Sequence, residues 1–238
     1  MIGGNVPVRE LSPWLTQPFA ERHLQPSAEA MLTLLISSAN PEPPLVARAV
    51  DALMAEGIVA YPTDTLYGLA VDPRNDRSVE RLFAVKGRPS ALAIPLIAAS
   101  LEQAQELATF TDADLRLARA FWPGPLTLVL RAHQTVSARV LGGGRTVAVR
   151  VPSNKIACAL AAAFGFCITA TSANRSGDAP ARSADAAVTA LGDAIDLVLD
   201  GGPSPSGPAS TIVEVGESGP QLIRAGAVGF DRVLRSLE

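Results

Sequence analysis

From Pro43 onward, short apolar runs rich in β-branched residues alternate with stretches of helical period, and glycine or proline marks most junctions. This alternation constrains the fold more than any other feature. Strands and helices that succeed one another at such short range bury their apolar faces by stacking as layers, with helices against a mixed sheet. Helices are expected over residues 43–56, 77–86, 100–108, 112–121, 154–163 and 183–191. Val46, Val50, Leu53 and Met54 set the period of the first, and Val79, Leu82, Phe83 and Val85 that of the second. Ser78 and Ser183 read as caps, as does either Thr111 or Asp112. Strands are expected over 57–61, 92–98, 126–131, 146–151, 167–170, 195–199, 210–215 and 221–224. The fold class is therefore α/β (α+β in some schemes), a twisted mixed sheet with helices on both faces.

Residues 42–235 read as a single domain. Before them, 1–41 read as an extension broken by Pro7, Pro13, Pro18 and Pro26 and ending in a strand or short helix near 31–37, with Met31 an alternative start. The basic and apolar order of a secretory signal is not there, because Glu10 follows Arg9 and Trp14 and Pro18 interrupt what comes next. The chain has 238 residues, 48% hydrophobic and 18% charged, enough apolar material for a full core and too little charge for disorder. No apolar run reaches the roughly 18 residues of a membrane span. Net charge −3 and 5% aromatic residues argue against a surface that coats nucleic acid. Cys158 and Cys167 read as reduced packing residues, which implies a cytosolic address, and with His23 and His133 they do not make a zinc site.

Four segments could carry chemistry. Tyr61-Pro62-Thr63-Asp64-Thr65-Leu66-Tyr67-Gly68 sets hydroxyls, a carboxylate and a phenol directly after a strand, where α/β pockets form. The plain alternative is a turn with Tyr67 plugging the core. Lys86-Gly87-Arg88-Pro89 places two cations that can converge on an anion, although cations also favour helix C-termini for the dipole alone. Thr169-Ala170-Thr171-Ser172-Ala173-Asn174 emerges from a buried strand, so Ser172 and Asn174 could hold phosphate or could simply cap a polar turn. Ser210-Thr211 and Arg224 lie near late strands, and Arg150 and Arg224 interrupt apolar runs, where a buried or rim arginine needs an anion and a solvent-facing one needs nothing. Neither a P-loop nor a nucleophile elbow is present.

In chain order, Pro62-Thr63-Asp64-Thr65-Leu66-Tyr67-Gly68-Leu69, Lys86-Gly87-Arg88-Pro89, Phe121-Trp122-Pro123-Gly124-Pro125-Leu126-Thr127, Arg150-Val151-Pro152, Thr171-Ser172-Ala173-Asn174-Arg175-Ser176-Gly177 and Ile223-Arg224-Ala225-Gly226-Ala227 resemble the YrdC-like family over residues 43–230. The resemblance implies a YrdC-like three-layer fold and the family's main activity, threonylcarbamoyl-AMP (L-threonylcarbamoyladenylate) synthesis. L-threonine and bicarbonate or CO2 give N-carboxy-threonine, whose carboxylate attacks the α-phosphorus of ATP and releases pyrophosphate. The product feeds t6A modification at position 37 of tRNAs reading ANN codons, through a separate tRNA threonylcarbamoyl transferase complex. Carried over by position, Lys86 and Arg88 grip phosphates and the carboxylated intermediate. Ser172 and Asn174 stand near the ATP phosphates and Mg2+, which is held chiefly through those phosphates, and Thr146 and Arg224 add ATP contacts. Thr63, Tyr67, Arg150, Ala170 and Ser210 form the L-threonine side. Lys86→Ala or Arg88→Ala is accordingly expected to abolish turnover with little change in melting.

The sequence departs from the family pattern in several places. The spacer 90–94 before Pro95-Leu96 is long and no histidine follows it, Ala209 replaces a glutamate, and Ala225 replaces a proline. These changes point toward an altered acceptor. The end at residue 238 implies that gating by the extra C-terminal domain of longer relatives is absent. Weak binding of double-stranded RNA or tRNA is the alternative that the family suggests.

Overall fold

The computed structural model describes residues 31–87 and 92–238, so the reading of 1–30 and that of Arg88 lie outside the described residues. The strands are β1 (Leu32–Leu35), β2 (Val59–Pro62), β3 (Tyr67–Ala70), β4 (Leu96–Ile97), β5 (Ala108–Thr109), β6 (Leu126–Ala132), β7 (Thr146–Arg150), β8 (Ile168–Thr169), β9 (Thr171–Ser172), β10 (Leu197–Asp200), β11 (Thr211–Gly216) and β12 (Gly219–Arg224). They form two mixed sheets. The first has the order β1-β10-β2-β3-β9, parallel from β1 to β2 and antiparallel from there on. The second has the order β12-β11-β6-β7-β4-β8, with β5 beside β6. Strand β1 falls inside the stretch read as an extension and pairs along its length with β10, Leu32 opposite Leu197.

The helices are α1 (Pro43–Met54), α2 (Asp76–Lys86), α3 (Leu101–Leu107), α4 (Asp112–Phe121), α5 (Lys155–Phe164), α6 (Ala184–Leu191) and α7 (Phe230–Arg235). Val46, Ala49 and Leu53 form the buried stripe of α1, which packs against α5 and the first sheet, while α4 packs on β6. The cap of α2 is Asn75, not Ser78: Asn75 Oδ1 accepts from the backbone N–H groups of Arg77 and Ser78 at 2.9 and 3.3 Å. Ser78 lies in the first turn, with its Oγ buried and unpartnered among the described residues. Thr111 caps α4 through a reciprocal bond with Asp114.

Two expected strands change shape where the sheets meet. The run 92–98 contributes only Leu96–Ile97, and 167–170 divides at Ala170. Ile168–Thr169 pairs with β4 in one sheet and Thr171–Ser172 with β3 in the other, so the chain crosses between sheets at Ala170, whose N–H donates to Pro95 O at 2.8 Å. Thr169 fastens the crossing. Its Oγ1 donates to Leu69 O at 2.8 Å and accepts from Val71 N–H at 2.9 Å, and Tyr61 Oη donates to its carbonyl at 2.9 Å. Each of these bonds lies in the core and satisfies a group that burial would otherwise penalise.

Candidate functional site

Strands alternate the faces of their side chains, and β6 and β7 show this cleanly. Leu126, Leu128 and Leu130 with Val147 and Val149 go into the core. Thr127, Val129, Thr146, Ala148 and Arg150 line the opposite face, the floor of a cleft of about 430 Å3. The 63–68 turn, the Ala170 crossing with Ser172, and the late segments carrying Ser210 and Arg224 wall it in. Of the residues expected from sequence, Thr63, Tyr67, Thr146 and Arg150 therefore meet Ala170, Ser172, Ser210 and Arg224 at one place.

Several of these groups are already engaged. Thr63 Oγ1 donates to Leu66 O at 2.7 Å and accepts from the N–H groups of Thr65 and Leu66, which closes the turn. The Tyr67 hydroxyl donates to Gly202 O at 2.8 Å, and burial followed by the Asp200 charge raises its pKa, so the phenol stays protonated. Both readings of Tyr67 thus hold in part: the residue borders the cleft, and its ring fills the core. Arg224 Nη2 donates to Ser210 O at 2.7 Å and to Ser210 Oγ at 3.0 Å, and Ser210 Oγ lies 2.9 Å from Thr127 Oγ1. Gly226 permits this arrangement, since a Cβ there would stand 2.3 Å from Ala209 O and 2.5 Å from Ser210 C.

Lys86 and Asn174 stand behind the wall rather than on it. Lys86, at the end of α2 and only 4% exposed, donates from Nζ to Ser172 O at 2.6 Å and to Asn174 O at 2.9 Å. Its own carbonyl accepts from Ser176 N–H at 2.8 Å, so the motif at 86 is fastened to the motif at 172–177 from both directions. Gly87 then turns the chain in the left-handed conformation, φ 59°. Asn174 Nδ2 donates to Arg175 O and Asp178 O at 2.8 and 2.7 Å, and its Oδ1 accepts from Ser172 Oγ, the turn-capping arrangement.

Among the described residues that line the cleft, the charged side chains are two guanidinium groups, Arg150 on the floor and Arg224 in the wall. Arg150 forms an ion pair with Asp64, both side chains being about nine-tenths buried. Desolvation, and then the positive charge of Arg150, pull the Arg224 pKa below its ordinary value. An anion entering the cleft relieves that repulsion. The sequence marks Asp64 and Thr65 as part of a pocket-forming segment without giving either an individual role, and it passes over Thr127; Thr65 and Thr127 also line the cleft. The signal for Thr127 was present as a polar residue alternating with leucines in Leu126-Thr127-Leu128. Among the described residues, no cluster of His, Cys, Asp and Glu has the makings of a metal site.

Mixed sheets flanked by helices, with two arginines lining one cleft, define a layered α/β domain. The chain belongs to the Sua5/YciO/YrdC family: residues 51–226 match that family, which carries the description telomere recombination. It is 37% identical over 188 residues to the threonylcarbamoyl-AMP synthase of Pyrococcus abyssi, covering 78% of this chain but 55% of that protein. With the threonylcarbamoyl-AMP synthase of Halorhodospira halophila it shares 43% over 157 residues, 66% of this chain and 82% of the relative. Among solved structures, P. abyssi Sua5 complexed with L-threonine superposes with a TM-score of 0.82 at 33% identity, over 87% of this chain and 61% of that one. Escherichia coli YciO gives 0.77 at 26% identity, over 84% and 97%. The chain thus spans just over half the length of the P. abyssi relative. No helix among the described residues is long and apolar enough to cross a membrane.

Proposed function

We propose that this chain condenses L-threonine, bicarbonate or CO2, and ATP into L-threonylcarbamoyladenylate and pyrophosphate. The observation that carries this reading is the convergence of Thr63, Thr146, Arg150, Ser172, Ser210 and Arg224, from well-separated segments, on one cleft with two guanidinium groups. Relatives named threonylcarbamoyl-AMP synthases, and a similar structure that holds L-threonine, support the choice of substrates.

The neutral amino group of threonine adds to carbon dioxide and its nitrogen gives up a proton to water, leaving a carbamate. A carbamate oxygen then attacks the α-phosphorus, forming the new P–O bond as the bond to the β-phosphate bridging oxygen breaks, and pyrophosphate leaves with that electron pair. The substrate supplies the nucleophile, so the protein needs no side-chain relay, and its contribution is orientation and stabilisation of charge. Arg224, Thr146 and Ser172 take the triphosphate, with Lys86 and Asn174 setting the geometry of the Ser172 wall from behind and Arg88 adding a further cation. Mg2+ would be held chiefly through the ATP phosphates and would offset their charge. Arg150, Thr63, Tyr67, Ala170 and Ser210 border the amino-acid side. The adenylate then serves t6A37 formation on tRNAs reading ANN codons, through a separate transferase complex in the cytoplasm.

Protein incubated with MgATP, L-threonine and bicarbonate is expected to release pyrophosphate only when all three are present. Pyrophosphate no higher than the threonine-free control, with ATP binding intact, overturns the assignment. Ala209 on the cleft wall, where the family pattern has glutamate, favours one second reading, a related carboxylated amine as the acceptor. Serine or carbamoyl phosphate in place of threonine in the same assay separates the two.

A further inference from the structure

The 63–68 turn holds one charged side chain, Asp64, that the roles above leave unused. Its Oδ1 accepts from Arg150 Nη1, and its Oδ2 accepts from Ser153 N–H and Ser153 Oγ, each at 3.3 Å. Arg150 and Asp64 are 8% and 10% exposed. Arg150 also borders the cleft, in the same face as Thr146 and Ala148. Asp64 therefore joins the first sheet's β2–β3 turn to the end of β7 in the second sheet, beside the ligand space.

A lone guanidinium at this position would be pushed away by Arg224, whose own pKa registers the Arg150 charge. A long side chain under such repulsion samples several rotamers, and a planar carboxylate is gripped well only by a fork held at one orientation. The carboxylate of Asp64 occupies one amine of the fork and is itself held at its second oxygen by Ser153, which leaves the remaining N–H groups of Arg150 in a set direction. We propose that Asp64 is a positioning residue that fixes the Arg150 guanidinium to receive the carboxylate of the amino-acid substrate. This rests on the assignment of L-threonine to the cleft made above. The chemistry it selects is an α-carboxylate beside the triphosphate, so a decarboxylated analogue such as 1-amino-2-propanol is excluded.

Calorimetric titration of the full chain with L-threonine, and separately with ATP, tests the role. Asp64→Asn keeps the shape and removes the charge, and L-threonine is expected to bind roughly 10- to 100-fold more weakly, the loss typical of one hydrogen bond to a charged group. ATP affinity is expected to remain as in the unaltered protein. In an Arg150→Ala background the same substitution is expected to cause no further loss, because Asp64 acts only through Arg150. Unchanged threonine affinity in Asp64→Asn, additive losses in the double variant, or a parallel fall in ATP affinity each overturns the positioning role while the proposed reaction stands. Where Asp64→Asn does not fold, Ser153→Ala decides. A threonine-selective weakening of about 2- to 10-fold supports the role, and no change overturns it. Failure of the unaltered chain to bind L-threonine overturns both the reaction and this inference.

Discussion

Lys86 illustrates what a residue's identity conveys and what its surroundings add. A lysine closing a helix and followed by Gly-Arg reads the same whether its ammonium faces solvent, a phosphate or the protein interior, since the helix dipole welcomes it in each case. The structure turns it inward, onto the carbonyls of Ser172 and Asn174. Lys86→Met is therefore expected to lower stability as well as turnover, in contrast to the purely catalytic loss that the motif alone suggests. Each bond from a charged donor contributes about 1.5–3 kcal/mol, and a chain of this size shifts by about 2–4 °C per kcal/mol. A melting midpoint lower by several degrees, together with loss of pyrophosphate release, is the expected outcome. An unchanged midpoint in differential scanning calorimetry would count against the inward contacts. Arg224→Ala offers the contrast. This arginine is half-exposed on the edge strand and, among the described residues, its hydrogen bonds go to Ser210, so the expected result is a raised KM for ATP with a nearly unchanged midpoint.

At the scale of elements, the helices from α1 to α6 were legible because their period and caps are local, whereas the six-residue α7 was not expected. Ser183 and Thr111 cap as their sequences suggest, and the one displaced cap, Asn75 for Ser78, moves by a few positions between residues of equal competence. Short strands were less legible. Strand β3 begins inside the Tyr67-Gly68 motif, where turn residues mask the pattern, and the break at Ala170 has no local signature, because a strand that changes partners keeps the same extended backbone. Much of the cleft wall was still identifiable as a set of motifs, since each motif ends an element and the sheet brings those ends together. The spacing that admits Arg224 beside Ser210 depends on a close approach at Gly226. Gly226→Ala places a methyl against backbone rather than against a yielding side chain, and is expected to destabilise the fold by about 1–3 kcal/mol. It should also raise the KM for ATP by separating β12 from the Ser210 segment. Urea unfolding and initial-rate kinetics read the two effects, and wild-type values in both would place the strain elsewhere.

Across the whole molecule, the two-sheet arrangement was the feature least accessible from sequence, because it is decided by two-residue pairings such as β4 with β8. Its consequence is a core that encloses groups able to ionise in alkali. Burial, and then the Asp64 charge, push the Cys158 thiol up to about 11, and burial with the Glu106 charge pushes Cys167 up to about 12. Burial likewise raises the phenols of Tyr61 and Tyr67. In every case the folded-state pKa lies above the unfolded one, so the unfolded chain loses its protons first. The stability from these groups is complete below the ordinary thiol value and declines as pH climbs from about 9 toward 11, by about 1.4 kcal/mol per pH unit for each group titrating only in the unfolded state. The urea midpoint is thus expected to owe no slope to these groups between pH 6 and 8, and to fall steeply from pH 9 upward. Cys167→Ala should make the fall shallower, because it removes one titrating group from the unfolded chain at the loss of a single buried sulfur. A midpoint that stays level to pH 11, or a slope unaltered by Cys167→Ala, would mean that water reaches these groups in the native state. The crossing of the chain at Ala170, between Thr169 and β9, would then not seal the core as the hydrogen bonds of Thr169 and Tyr61 indicate.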